Sequence, residues 1–227
     1  MSNKLSVQEM CQIGHGNPDK RTFHFDLSSI DSDKYDSFFH SLPNFICKTA
    51  KGIKFSCDRQ VAKKSENDPI VNNSIPLKYP RYLQYLLKIL RKTFPLTKTL
   101  TYLELSNISI PQLHQIVLFK EMSKSQTLTQ FRTFNVQLTN ESFAVLMKYI
   151  SPYQFKSLSF HDARLSSPVF MYIYKFLKRK PHDAKMKWKL RVFDVRDSDF
   201  TADEFNKIDQ LISRNITEDD SNSESFI

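Results

Sequence analysis

Ser159, His161 and Asp162 lie within four residues of one another, and their types are those of a nucleophile, a base and an orienting carboxylate. On a strand, residues 159 and 161 point to one side, while 162 begins the following turn. A working triad needs its carboxylate behind the imidazole and an oxyanion hole beyond the serine; this spacing supplies neither. The six histidines are His15, His24, His40, His114, His161 and His182. No two of them have the helical spacing of a zinc pair with an adjacent glutamate. The three glycines, Gly14, Gly16 and Gly52, do not open a phosphate-binding loop. Cys11, Cys47 and Cys57 are odd in number and lack CxxC spacing, which fits reduced thiols better than a zinc site or a redox pair. The sequence thus predicts no catalytic residue, metal site, cofactor or small-molecule substrate.

Binding chemistry has more to work with. The formal charge is +9, and it is spread unevenly. Residues 174–191, YKFLKRKPHDAKMKWKLR, set Lys175, Lys178, Arg179, Lys180, Lys185, Lys187, Lys189 and Arg191 against Asp183 alone. Such a run suits nucleic acid, an acidic protein tail or an anionic membrane, or else is a solvated loop. Trp188 and Met186 within it offer apolar contact. No ribonucleoprotein signature or zinc finger accompanies it, which argues against nucleic acid. Arg81, Lys88, Arg91, Lys92 and Lys98 form a second basic set.

The elements that carry these residues are repeats. LTYLELSNISI begins at Leu100, LTQFRTFNVQL at Leu128, FKSLSFHDARL at Phe155 and LRVFDVRDSDF at Leu190. Counting the first residue as zero, offsets three, five and ten are apolar except for Thr133. Offset seven is Asn107, Asn135, Asp162 or Asp197, types that bond backbone groups in turns. Starts lie 28, 27 and 35 residues apart, so the third unit carries an insertion within the basic run. A period of this length marks a solenoid whose units bury their apolar faces only by stacking.

The second half of each unit is helical. Offsets 15, 18 and 22 give Phe143, Leu146 and Ile150, then Phe170, Ile173 and Leu177, then Phe205, Ile208 and Ile212. The unit from Leu100 gives Gln115, Leu118 and Met122. Spacings of three and four place these on one helical face. Thr201 with Glu204, Thr139, and Ser167 before Pro168 mark helix starts. The frame extends backwards to Phe23, Phe25 and Ile30 from Lys20, and to Ile53 and Phe55 from Ala50. A polar insertion near 58–79 then precedes a helix carrying Leu83, Leu86, Leu87 and Leu90. The predicted fold is α/β, a leucine-rich-repeat solenoid of ribonuclease-inhibitor-like type, with parallel strands on the concave face and helices on the convex face. Its expected organisation is a flexible arm over 1–19, about six units over 20–213, and a disordered acidic and serine-rich tail over 214–227. No apolar signal region opens the chain and no apolar run approaches bilayer length, so neither secretion nor membrane insertion is expected.

Offsets two, four and six must then line the concave face. The candidate protein-binding residues there are Tyr102, Glu104, Gln130, Arg132, Phe134, Ser159, His161, Asp194 and Arg196. Tyr102, Arg132, Phe134 and His161 are expected to cluster near its centre, with exposed Tyr, Phe and Arg as the usual anchors of an interface. Phe134 is the informative residue, because nothing in the frame requires an apolar side chain there. It either meets a partner or leans over the strand to pack on Tyr102.

The order of elements resembles a known family. TFHFDLSSIDSDKYDSFFHSL leads to GIKFSC, a polar insertion, and IPLKYPRYLQYLLKILRKTFPLTKTLTYLEL. This is similar to the N-terminal repeat region of the seventy-eight-kilodalton centrosomal leucine-rich-repeat family, over roughly residues 20–200. The interrupted second unit and the helix running into a strand through TKTLTYLEL carry the likeness. The resemblance implies a component of the centrosome, centriole or basal body that supports cilium assembly. It also implies a cytoplasmic, cytoskeletal location and protein partners that include centrosomal or ubiquitin-ligase components. It implies no catalytic residues. The family continues into a coiled-coil segment where this sequence stops soon after Ile212, so functions of that portion are not implied. A leucine-rich adaptor of a ubiquitin ligase, and a binder of nucleic acid or anionic surfaces through 174–191, are the alternatives.

Overall fold

The computed structural model describes residues 4–17, 19–31, 33–57, 80–183 and 186–224. In chain order the elements are α1 (Val7–Ile13), β1 (His15–Asn17), β2 (Thr22–Asp26), α2 (Tyr35–Lys48), β3 (Gly52–Ser56), α3 (Pro80–Thr93) and β4 (Tyr102–Ser106). They continue as α4 (Gln112–Met122), β5 (Gln130–Phe134), α5 (Asn140–Tyr149), β6 (Ser157–His161), α6 (Phe170–Leu177), β7 (Val192–Asp194) and α7 (Ala202–Glu224). The protein is α/β. Strands β2 to β7 form a parallel sheet in sequence order, and β1 pairs antiparallel with β2 at its near edge. Each parallel strand begins two residues into its repeat, so equal offsets fall opposite one another: Leu103 faces Phe131, and Phe131 faces Leu158. The polar insertion expected near 58–79 lies outside the described residues.

Why the sheet is covered on one side follows from the alternation of side chains. Offsets three and five are buried in every strand, and rings from the helices stack on them. Phe38 meets Phe25 at 5.2 Å between centroids, Phe119 meets Phe131 at 5.9 Å, Phe143 meets Phe160 at 5.0 Å and Phe176 meets Phe193 at 6.0 Å. Phenylalanine fills positions that a smaller side chain would leave hollow, and most of these contacts are edge-on or tilted, as ring quadrupoles favour. Thr133 is the exception in this layer. It is fully buried between Leu105 and Phe160, and its Oγ1 has no hydrogen-bond partner among the described residues. Thr133→Val is therefore expected to stabilise the fold by about 1 kcal/mol, since it removes a buried orphan hydroxyl at nearly constant volume. A thermal midpoint at or below that of the parent would show that the hydroxyl is solvated after all.

The residues at offset seven have a backbone reason to be Asn or Asp. Asn107, Asn135, Asp162 and Asp197 all adopt φ between 49° and 65°. Most L side chains resist this left-handed conformation, whereas Asn and Asp tolerate it. Each therefore turns the chain out of its strand at the same place. Asn135 also donates from Nδ2 to Asn107 Oδ1 at 2.9 Å, tying neighbouring turns together.

Both chain ends differ from expectation. Within the arm expected over 1–19, residues 7–13 form a helix. Ser6 and Glu9 form a reciprocal capping box on α1, Leu5 N–H donates to Ser41 Oγ at 2.7 Å, and Met10 is buried. Gly14 lies so close to the Phe25 ring that a Cβ there would come within 2.6 Å of it. The tail expected to be disordered from 214 continues α7 to Glu224. The Thr201–Glu204 capping box starts that helix, and Asn215 donates from Nδ2 to Leu177 O at 3.0 Å at the end of α6. Thr139 caps α5 as expected. Ser167, expected to cap the next helix, instead lies inside the 3-10 turn Ser167–Val169 and bonds Glu204 at 2.9 Å.

Candidate functional site

The face away from the helices carries a polar network rather than a row of independent side chains. Tyr102 donates its hydroxyl to Glu104 on the same strand, and Lys54 Nζ stands 3.3 Å from Glu104 Oε1 across β3 and β4. Burial, then the bond to Glu104 and its charge, push the Tyr102 phenol upwards, with Arg132 partly opposing. Tyr102 thus stays a neutral donor. Arg132 is half-buried, and its Nε has no partner among the described residues.

A second group lies on β6 and β7. His161 Nε2 is 3.1 Å from Asp194 Oδ2, and Arg196 grips the same carboxylate through Nε at 3.0 and 2.9 Å and Nη2 at 2.5 Å. Burial pushes the Asp194 carboxyl up, but Arg196 and His161 outweigh it and hold it below its ordinary range. Asp194 therefore contributes stability above the unfolded carboxylate range, and loses that contribution as pH falls through its lower folded value. Phe134 sits next to this group. Its ring centroid is 6.4 Å from that of His161, and 39% of the residue remains exposed.

The structure divides the expected central cluster into two pairs, Tyr102 with Arg132 and Phe134 with His161. Phe134 turns towards His161 rather than onto Tyr102. Two candidates are not accessible: Glu104 is 7% exposed and Ser159 is 8% exposed. The physical reason is their neighbours. Glu104 lies between Lys54 and Arg132 in register, and the short Ser159 lies between Arg132 and Asp194. Gln130 and Arg196 are exposed. Asp162 turns outward with the loop, so the carboxylate that meets His161 is Asp194. No hydrogen bond joins Ser159 to His161 among the described residues.

The basic run is only partly a surface patch. Lys175, Lys178, Lys180, Lys187, Lys189 and Arg191 are exposed. Arg179 is not: it donates to Met147 O at 2.7 Å and Ile150 O at 2.6 Å, closing the end of α5. Lys178 lies 4.3 Å from the centroid of the Tyr174 ring, and Lys185 lies outside the described residues. Trp188, expected to offer apolar contact, is buried instead. It stacks edge-on to Tyr153 at 5.6 Å and donates to Leu190 O at 2.8 Å. Met186 remains exposed.

Sequence reasoning missed two features. Lys54 had no role until its register with Glu104 was seen. The groove between α3 and α4 was missed because helix faces were assigned only to the core; the exposed Leu113 was its one visible signal. Among the described residues no group of His, Cys, Asp or Glu is placed to hold a metal ion, and no helix is long and apolar enough to cross a membrane. No known protein family matches the sequence, and no curated protein matches it.

Proposed function

We propose that this protein is a non-enzymatic protein-interaction scaffold, a leucine-rich-repeat solenoid of ribonuclease-inhibitor-like type that presents its helix-free face to a partner. The observation that carries the reading is Phe134, an aromatic ring left 39% exposed on a face where Lys54 pairs with Glu104 and His161 with Asp194. An exposed aromatic ring beside side chains fixed by ion pairs is the usual anatomy of an interface hot spot, and the fixed neighbours lower the entropy cost of binding. The resemblance of the sequence to centrosomal repeat proteins supports a role for this scaffold at the centriole or basal body, in cilium assembly.

Phe134→Ala is the clean test, because the ring is exposed and its loss leaves the core intact. Recovery of the main partner from source cells is expected to fall about tenfold or more, with an unchanged melting temperature. Normal recovery would remove this face from consideration. Tagging the parent protein tests location, and a diffuse signal without centriolar foci would defeat the centriolar role. The six exposed cations of the basic run favour a second reading, binding of an anionic polymer or surface. That reading requires affinity to fall steeply with added salt; weak salt dependence rules it out. The ubiquitin-ligase adaptor reading is the alternative that repeats of this kind allow away from the centrosome, and ligase subunits recovered without centrosomal partners would favour it.

A further inference from the structure

Away from the sheet, α3 and α4 do not close on each other. Leu87, Leu113, His114, Val117 and Leu118 line a hollow of about 350 Å³ between them, edged by Lys88 and Arg91. A second hollow of about 380 Å³ adjoins it and shares Lys88 and Arg91, adding Lys92. Three features set this groove apart from an ordinary surface crease. Leu113 is 75% exposed, an apolar side chain standing at the mouth on the first turn of α4. His114 lines the hollow, and its buried Nδ1 has no hydrogen-bond partner among the described residues, which costs free energy. The rim is basic, and among the described residues no carboxylate pairs with Lys88, Arg91 or Lys92. Glu121, the carboxylate lining the second hollow, is already engaged by Lys124 at 2.8 Å.

We propose that this groove is a docking site for an acidic amphipathic helix of a partner protein. Leu113 and Val117 stand one turn apart on α4, and Leu87 and Arg91 one turn apart on α3. Two parallel ridges of this kind accept the ridge of a third helix. Its apolar residues at spacings of three and four cover Leu113 and fill the hollow. Its Asp and Glu residues flank that stripe and meet Lys88, Arg91 and Lys92. The site is separate from the Phe134 face and stands whether or not that face binds.

The experiment uses the full chain and a synthetic helical peptide with leucines along one face and glutamates on both flanks. A matched peptide carries lysines in place of the glutamates. The glutamate peptide is expected to bind, to shift the NMR signals of Leu113, Val117 and His114, and to weaken with added salt. Lys88→Glu combined with Arg91→Glu is expected to weaken it about tenfold or more, and Leu113→Asp to do the same. All three side chains are at the surface, so these variants keep the parental melting temperature. The proposal is overturned if neither peptide binds, if both bind alike, or if the shifts map to Phe134. It is overturned equally if phosphatidylserine vesicles bind the groove in place of the peptide, or if the chain self-associates through Leu113.

Discussion

Phe160→Ala is expected to cost the fold about 3–5 kcal/mol. The ring is fully buried and touches aromatic neighbours on both sides along the sheet and from the helix layer: Phe131 and Phe193 at 6.1 Å, and Phe143 at 5.0 Å. Truncation leaves a hollow at the junction of three units. In a stacked array each unit depends on its neighbours, so the loss is felt in all three. A domain with about 5–15 kcal/mol of total stability loses a large fraction of it. Phe160→Leu keeps much of the volume and is expected to cost only about 1 kcal/mol. Urea denaturation of both variants checks this. Equal midpoints for Ala and Leu would mean that the ring is not packed as described.

Gln115→Met is the second large effect, at about 2–4 kcal/mol, although it replaces a polar side chain with an apolar one of similar size. Gln115 is buried, and its amide nitrogen donates to Ile110 O at 2.7 Å and Gln137 O at 2.8 Å. Its carbonyl accepts from the Ser142 hydroxyl, which itself belongs to the cap of α5. One side chain thus holds two successive loops and a helix start. Methionine packs but leaves two carbonyls without donors. The comparison with Thr133→Val isolates the cause, because both changes raise core hydrophobicity and only one breaks satisfied bonds. A Gln115→Met protein as stable as the parent would show that water takes over those carbonyls.

Strand positions were legible because burial on one face imposes a period that survives every substitution except Thr133. The turn residues were legible as a pattern before their cause was known, and left-handed φ at Asn107, Asn135, Asp162 and Asp197 supplies it. Gln115 was also visible as the one polar entry at its offset, but sequence does not say which carbonyls it reaches. The ends were misjudged for local reasons. Ser6 and Glu9 carry a capping-box signature, yet a seven-residue helix is too short for periodicity to register, and β1 exists only because β2 offers an edge. The polar stretch after Ile212 looked unable to fold, but an already nucleated helix extends at little cost. On the helix-free face, the alternation named the right strands but not the accessibility of each residue. Glu104 and Ser159 are covered by side chains from neighbouring strands, which no single repeat reveals.

The sequential strand order also sets how far the chain must travel to make each contact. Paired positions on successive parallel strands are 27 to 35 residues apart everywhere except between β3 and β4, where Gly52 meets Tyr102 across fifty. Closing a longer loop costs more chain entropy, about 0.6 kcal/mol for each doubling of length. The difference is small beside a core phenylalanine, but it falls at one seam in an otherwise even array. Assembly can therefore start on either side, in the β1–β3 unit or in the β4–β7 units, and the two nuclei meet last at that seam. The helix α3 lies within that longer connection, so the element that carries the basic rim of the groove belongs to the costlier closure.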